Sequence, residues 1–144
     1  MSEEDAKNLI NLLKTIYNNI VKLPSFGEHK TYTLNSTTTR DVFIVNINRK
    51  SKNSNKYTIQ ARVQGSNVKL MRLDILSDNV PHRNSDGTYI YGPHLHIFKE
   101  GKELADAVEY KDDEGFLENC IKFLDSFHLI DYKLDYQSEL QLLH

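Results

Sequence analysis

The sequence predicts an α+β domain: an antiparallel β-sheet of about five strands, with an N-terminal and a C-terminal helix packed on one face. Apolar residues recur at spacings of three and four near the N-terminus and again around residue 120, whereas from about residue 30 to 110 the spacing falls to two. At 144 residues the chain is long enough to bury one core without staples, so a single domain spanning 1–144 is expected. Its parts are a helix over 3–23, a sheet over about 30–110, a helix over 114–127 and a short C-terminal tail.

Leu9, Leu12, Leu13, Ile16, Ile20 and Leu23 form one apolar stripe of the first helix. Ser2 followed by Asp5 has the spacing of an N-terminal cap, acidic residues suit the positive end of the helix dipole, and Pro24 ends the element. Strands are expected at Asp41–Arg49, Lys56–Gln64, Val68–Ile75 and His94–Phe98, with Leu104–Tyr110 as a candidate last strand. Gly65-Ser66-Asn67 makes a tight turn, and Leu76–Gly92, rich in Ser, Asp, Asn, Pro and Gly, reads as a long loop. In the second helix Cys120 lies on the apolar side, as a buried small hydrophobe rather than a nucleophile. The tail carries a candidate short helix at Ser138–Leu143.

Hydrophobic residues at 39% and charged residues at 26% exclude a disordered chain. No stretch approaches the ~20 apolar residues of a membrane span, so no membrane partner is expected. One cysteine excludes an internal disulfide, and the acidic N-terminus lacks the pattern of a secretory signal; together they favour a cytoplasmic protein. The net charge of −2 conceals a segregation, with +6 over residues 40–102 and −8 over the rest. A basic middle suits a phosphate-bearing partner; a solvated Lys-rich surface is the plainer reading.

Side chains two apart share a face of a strand. That rule puts Gln60 and Arg62, Arg72 and Asp74, and His94 and His96 opposite the apolar residues of their strands. The long loop leaves the strand of Asp74 and returns to the strand of His94, so His82 can fold over the same face. Three chemistries fit. In the first, His94 or His96 is a general acid or base, Asp74 orients an imidazole, and Arg62 and Arg72 hold a phosphate, a set that suits metal-independent RNA cleavage. In the second, His94, His96 and either His82 or Asp74 ligate a metal. In the third, the histidines form a structural hydrogen-bonded network with Arg72 and Asp74. Asn84 and Asp86 fit an ordinary turn.

The segments Leu70–Ile75 (LMRLDI), Pro81–Gly87 (PHRNSDG) and Pro93–Phe98 (PHLHIF) resemble an uncharacterised group of small bacterial and prophage proteins. Its signature runs approximately R-L-D, P-H-x-N-P-D-G, P-H-L-H-I-Y. Arg49 and Gln60-Ala61-Arg62 resemble the same group, and the likeness covers about residues 40–100. More distantly, the order R-x-D, P-H, P-H-x-H is similar to TumE-type toxins of toxin–antitoxin modules, suspected of acting on RNA. The resemblance implies a polar site at Arg62, Arg72, Asp74, His82, His94 and His96, in a mobile-element or prophage setting. Ser85 stands where the signature has proline and Phe98 where it has tyrosine.

The expected function is therefore a toxin-like, metal-independent ribonuclease or related phosphodiester-acting protein, with no cofactor. His94, His96, Asp74, Arg72 and His82 form the expected catalytic set; Arg62, Gln60, Arg49, Asn84 and Arg83 form the expected substrate-binding set. Expected partners are RNA and an antitoxin or host defence protein. Two other classes stand beside this one: a non-enzymatic phage or mobile-element inhibitor that binds a host defence protein or nucleic acid, and a metal-dependent hydrolase.

Overall fold

The structure, a computed structural model, describes residues 1–53, 55–112 and 114–136. Its elements are α1 (Glu3–Asn11), β1 (Lys14–Ile16), a 3₁₀ turn (Tyr17–Asn19), β2 (Ile20–Lys22), β3 (His29–Ser36), β4 (Val42–Asn48), β5 (Tyr57–Val63), β6 (Lys69–Ile75), β7 (Pro81–Arg83), β8 (Tyr89–Tyr91), β9 (His94–Ile97), β10 (Ala107–Glu109), α2 (Phe116–Ser126) and β11 (Lys133–Asp135). Among the described residues the fold is mixed, with two helices and a seven-stranded antiparallel sheet ordered β1-β3-β4-β5-β6-β9-β10. The four strands read from the middle of the sequence stand within about two residues of their expected bounds. The candidate last strand is shorter, at Ala107–Glu109. The helix suggested at Ser138–Leu143 lies outside the described residues.

Three expectations are corrected. The first helix ends at Asn11 rather than at residue 23. Its N-terminus is the expected capping box, Ser2 accepting from the Asp5 amide while the Asp5 carboxylate accepts from the Ser2 amide. Beyond Leu12 the backbone turns extended, and Asn18 and Asn19 take φ of 59° and 55°, the left-handed region that asparagine tolerates better than most residues. The β-branched pairs Thr15-Ile16 and Ile20-Val21 then run as short strands. Burial confirms the change of period: Val21 and Leu23 are buried, while Ile20 is exposed. Leucines and isoleucines three and four apart satisfied a helical stripe that the asparagines interrupt.

The second correction concerns strand number. Five strands were expected, but β1 and β3 extend the sheet on one side, and a parallel pair, β2 with β11, and a hairpin, β7 with β8, lie outside it. The third follows from that hairpin, because residues 76–92 do not form a plain loop. Asn84–Thr88 closes a two-stranded ribbon in which His82 stands opposite Ile90.

One hydrophobic cluster joins the inward residues of the sheet, among them Leu34, Phe43, Val45, Ile47, Ile59, Ala61 and Leu73, to Ala6 of α1 and Cys120, Phe123, Leu124 and Phe127 at α2. Phe127 meets Phe43 edge to face with ring centroids 5.4 Å apart. Cys120 is fully buried in this cluster, and burial pushes its thiol up to about 12. Such a thiol is not ionised at neutral pH and makes a poor nucleophile.

Lys14 is the unexpected core residue. It is fully buried, and its ammonium donates to the carbonyls of Ile10, Leu12 and Phe127, each at 2.8 Å. These carbonyls lie at the C-terminal ends of α1 and α2, where helices leave acceptors unsatisfied and the dipole favours a cation. The ammonium also sits 3.9 Å from the Phe127 ring centroid. Burial pulls the Lys14 ammonium down to about 7.

Candidate functional site at a histidine cluster

Strand register determines which polar side chains meet. Thr31, Asn46, Gln60, Arg72 and His96 form one cross-strand row over five strands, and His29, Asn48, Thr58, Asp74 and His94 form the next. Side chains of directly opposed residues on one face lie close enough to interact. At the β6–β9 end of these rows, Arg72, Asp74, His94 and His96 come together.

Asp74 is the hub. One oxygen, Oδ2, lies 3.0 Å from Arg72 Nε, 3.2 Å from His94 Nε2 and 3.1 Å from His96 Nε2. Arg72 Nη2 is 3.4 Å from His96 Nε2. The far nitrogen of each imidazole meets a backbone carbonyl: His94 Nδ1 donates to Gly92 at 2.9 Å and His96 Nδ1 to Asp106 at 3.2 Å. Gly92 is required where it stands, because a Cβ there would sit 2.6 Å from Asp78 Oδ1 at a φ of +82°.

The β7–β8 hairpin covers this group. His82 stacks on His94 with centroids 4.9 Å apart and meets His96 edge to face at 4.9 Å, while its Nε2 donates to the Ala105 carbonyl at 3.0 Å. His96 is 0% exposed and His94 5%, whereas His82 is half-buried and the Arg72 side chain remains 33% exposed. Burial raises the Asp74 carboxyl, but the hydrogen bond from His96 and the nearby charge of Arg72 outweigh it and hold the group below the usual carboxylate range. Burial also lowers the His94 imidazole, only partly opposed by the Gly92 carbonyl and by Asp74.

The expected catalytic five thus converge, and the expected binding five mostly do not. Gln60 stands opposite Arg72 at the edge of the cluster. Arg62 is diverted by a β-bulge after Ala61, which pairs it with Lys69, and it donates to Asn67 Oδ1 at 2.6 Å. Arg49 points away from the polar face. It is buried with its guanidinium 3.9 Å from the Phe116 ring centroid, donating to the Pro24 carbonyl at 3.1 Å. Arg83 is exposed on the hairpin.

Asn84 has a structural part that a turn motif does not reveal. Its amide donates to the Ala107 carbonyl at 3.0 Å and accepts from the Ala107 N–H at 2.9 Å, fastening the hairpin to β10. Ser85 donates twice to Asp106, from its N–H and its hydroxyl, both at 2.7 Å. Asp106 was not anticipated: its contacts with Ser85 and His96 span 21 and 10 residues, and the local Lys102–Asp106 ion pair at 3.5 Å does not reveal them. Replacing Asn84 by alanine is expected to cost about 2 kcal/mol and to speed amide exchange across β7, β8 and β10, because it strips two hydrogen bonds from partly buried backbone. Unchanged exchange in that ribbon would show that the hairpin is held by its imidazole contacts instead.

Among the described residues, no helix is long and apolar enough to cross a membrane. No curated protein and no solved structure matches the chain. A family of unknown function, DUF6978, matches residues 1–129, a span that contains every residue of the cluster and nearly all of the described fold; the chain belongs to that family.

Proposed function

We propose that the chain acts on phosphodiesters, RNA being the substrate class, as a toxin-like protein of a mobile element or prophage. The observation that carries this reading is the contrast in exposure within one cluster. His82 and Arg72 reach the surface and flank His96, while His94, His96 and Asp74 lie buried beneath them. The sequence nominated His94 or His96 as a general acid or base, but burial removes both from direct contact with a polymer. In this reading they are positioning residues and the chemistry belongs to the rim.

Arg72 spends Nε on Asp74 and sets Nη2 near His96, and its Nη1 has no protein partner among the described residues. A guanidinium fixed in this way offers its remaining N–H groups to a phosphate as charge builds on the phosphorus oxygens. His82 is the imidazole placed to take the proton of an attacking 2′-hydroxyl, whose oxygen then bonds to phosphorus as the P–O5′ bond breaks and the 5′-oxygen takes a proton from water. The +6 balance over residues 40–102 favours a polyanion. The motif order shared with TumE-type toxins supports RNA as the polymer.

Full-length protein incubated with labelled single-stranded RNA tests this reading. Cleavage by the wild type is expected, falling at least about 100-fold in His82→Ala and in Arg72→Ala. No cleavage with or without added divalent metal, or equal cleavage by both variants, would overturn it.

A further inference from the structure

All three imidazoles of the cluster have one N–H committed to a backbone carbonyl: His82 Nε2 to Ala105, His94 Nδ1 to Gly92 and His96 Nδ1 to Asp106. A carbonyl only accepts, so each bond takes one ring N–H; the other ring nitrogen is a second N–H in the imidazolium and a lone pair in the neutral ring. The second nitrogens of His94 and His96 both point at Asp74 Oδ2, at 3.2 and 3.1 Å, and donate to it when the rings are protonated. With both rings neutral, three acceptors share this buried place, and a metal cation can take the position of the two ring protons. Arg72 supplies part of that charge, from one side and from an exposed position.

We propose that His82, His94 and His96, with Asp74 beside them, form a binding site for one divalent first-row transition ion of the zinc class. Four features support it. The ligating nitrogens of the three histidines all lie within 4.8 Å of one another. The two Nε2–Oδ2 separations match neighbouring ligands on one ion, since metal–ligand bonds of ~2.0–2.1 Å in a tetrahedron set adjacent donors ~3.3 Å apart. Imidazole nitrogens with a carboxylate oxygen are a donor set for zinc, cobalt or nickel rather than for magnesium or calcium. Finally, a ligating imidazole ordinarily donates its second N–H to a carbonyl or carboxylate, which all three rings do here.

The three ligands come from two separate elements. His94 and His96 are two apart on β9, on one face and locked by the sheet, whereas His82 rides on the hairpin. The ion therefore pins the hairpin to the sheet as it binds. The inference stands on the clustering alone and does not need the phosphodiester reading, but it bears on it. With the ion bound, His82 is a ligand and no longer a free base, so cleavage that survives a chelator belongs to the unligated imidazole.

The test is metal content of tag-free, full-length protein with no RNA present. About one equivalent of zinc is expected by elemental analysis after gel filtration, and metal-stripped protein titrated with cobalt(II) is expected to develop visible absorption of a low-coordinate nitrogen–oxygen site. His82→Ala, on the half-exposed hairpin, is expected to keep the wild-type circular dichroism spectrum and lose more than about 100-fold in affinity, since even outer partners are worth 10–100-fold. His96→Ala should behave alike, but its burial makes the hairpin variant the decisive one. A wild-type protein with no bound metal and no cobalt spectrum, or a folded His82→Ala that binds as tightly as the wild type, overturns the site. A protein with one zinc and no effect on RNA overturns only the phosphodiester reading; a metal-free ribonuclease overturns only this one.

Discussion

Replacing Asp74 by alanine is expected to lower the free energy of unfolding by about 4 kcal/mol, because removing one partner of a buried charged network leaves the others uncompensated. Arg72 Nε, His94 Nε2 and His96 Nε2 all converge on its Oδ2, and the carboxylate is 7% exposed, so little water can take its place. Asp74→Asn keeps the shape and one acceptor and should cost less than half as much. Chemical denaturation of the two variants beside the wild type measures both. Equal small losses would show that the cluster contributes nothing to stability.

The same carboxylate gives a pH dependence of known sign. Its pKa is lowered in the folded state, so the unfolded chain binds the proton more tightly. The stabilisation is complete above the ordinary carboxylate value of about 3.9 and is lost as the pH falls through the lower folded value. The wild type should therefore lose its advantage over Asp74→Asn only in acid; a gap that widens on acidification would contradict the assignment.

Lys14→Met is the second large effect. Methionine fills similar volume beside Phe43 and Phe127 but removes the shared donor; the Ile10 carbonyl keeps the His128 imidazole, whereas those of Leu12 and Phe127 are left unpaired. Each unpaired acceptor costs about 1–3 kcal/mol, and relief from burying a charge returns part of that, so a net loss of about 3 kcal/mol is expected. Against typical stabilities of about 5–15 kcal/mol the change is easily read in a denaturant titration. A variant as stable as the wild type would mean that the carbonyls find water or another donor.

The centre of this fold was legible because its strands alternate cleanly. Tyr57, Ile59 and Ala61 against Thr58, Gln60 and Arg62 can be sorted to opposite faces with no knowledge of neighbours, and the β4–β5–β6–β9 register follows the same alternation. Period alone misled at residues 12–23, where spacing allowed a helix and the left-handed propensity of two asparagines decided otherwise. The histidines were correctly grouped, since two of them share a strand face. Their depth was not legible, because it depends on a hairpin whose anchors, Asn84 on Ala107 and Ser85 on Asp106, span more than twenty residues. Arg62 was placed by strand alternation and Arg49 by the family resemblance, yet a bulge turns Arg62 and an aromatic ring holds Arg49.

The clasp between Asn84 and Ala107 has a consequence beyond the hairpin. β10 is a border strand of the seven-stranded sheet, and a border strand presents free N–H and C=O groups on which another chain can template itself. By occupying both groups of Ala107 with a side-chain amide, Asn84 caps that border as a neighbouring strand would, but cannot be extended further. The residue thus guards against open-ended polymerisation, and crowded, concentrated conditions are where its loss would be felt first.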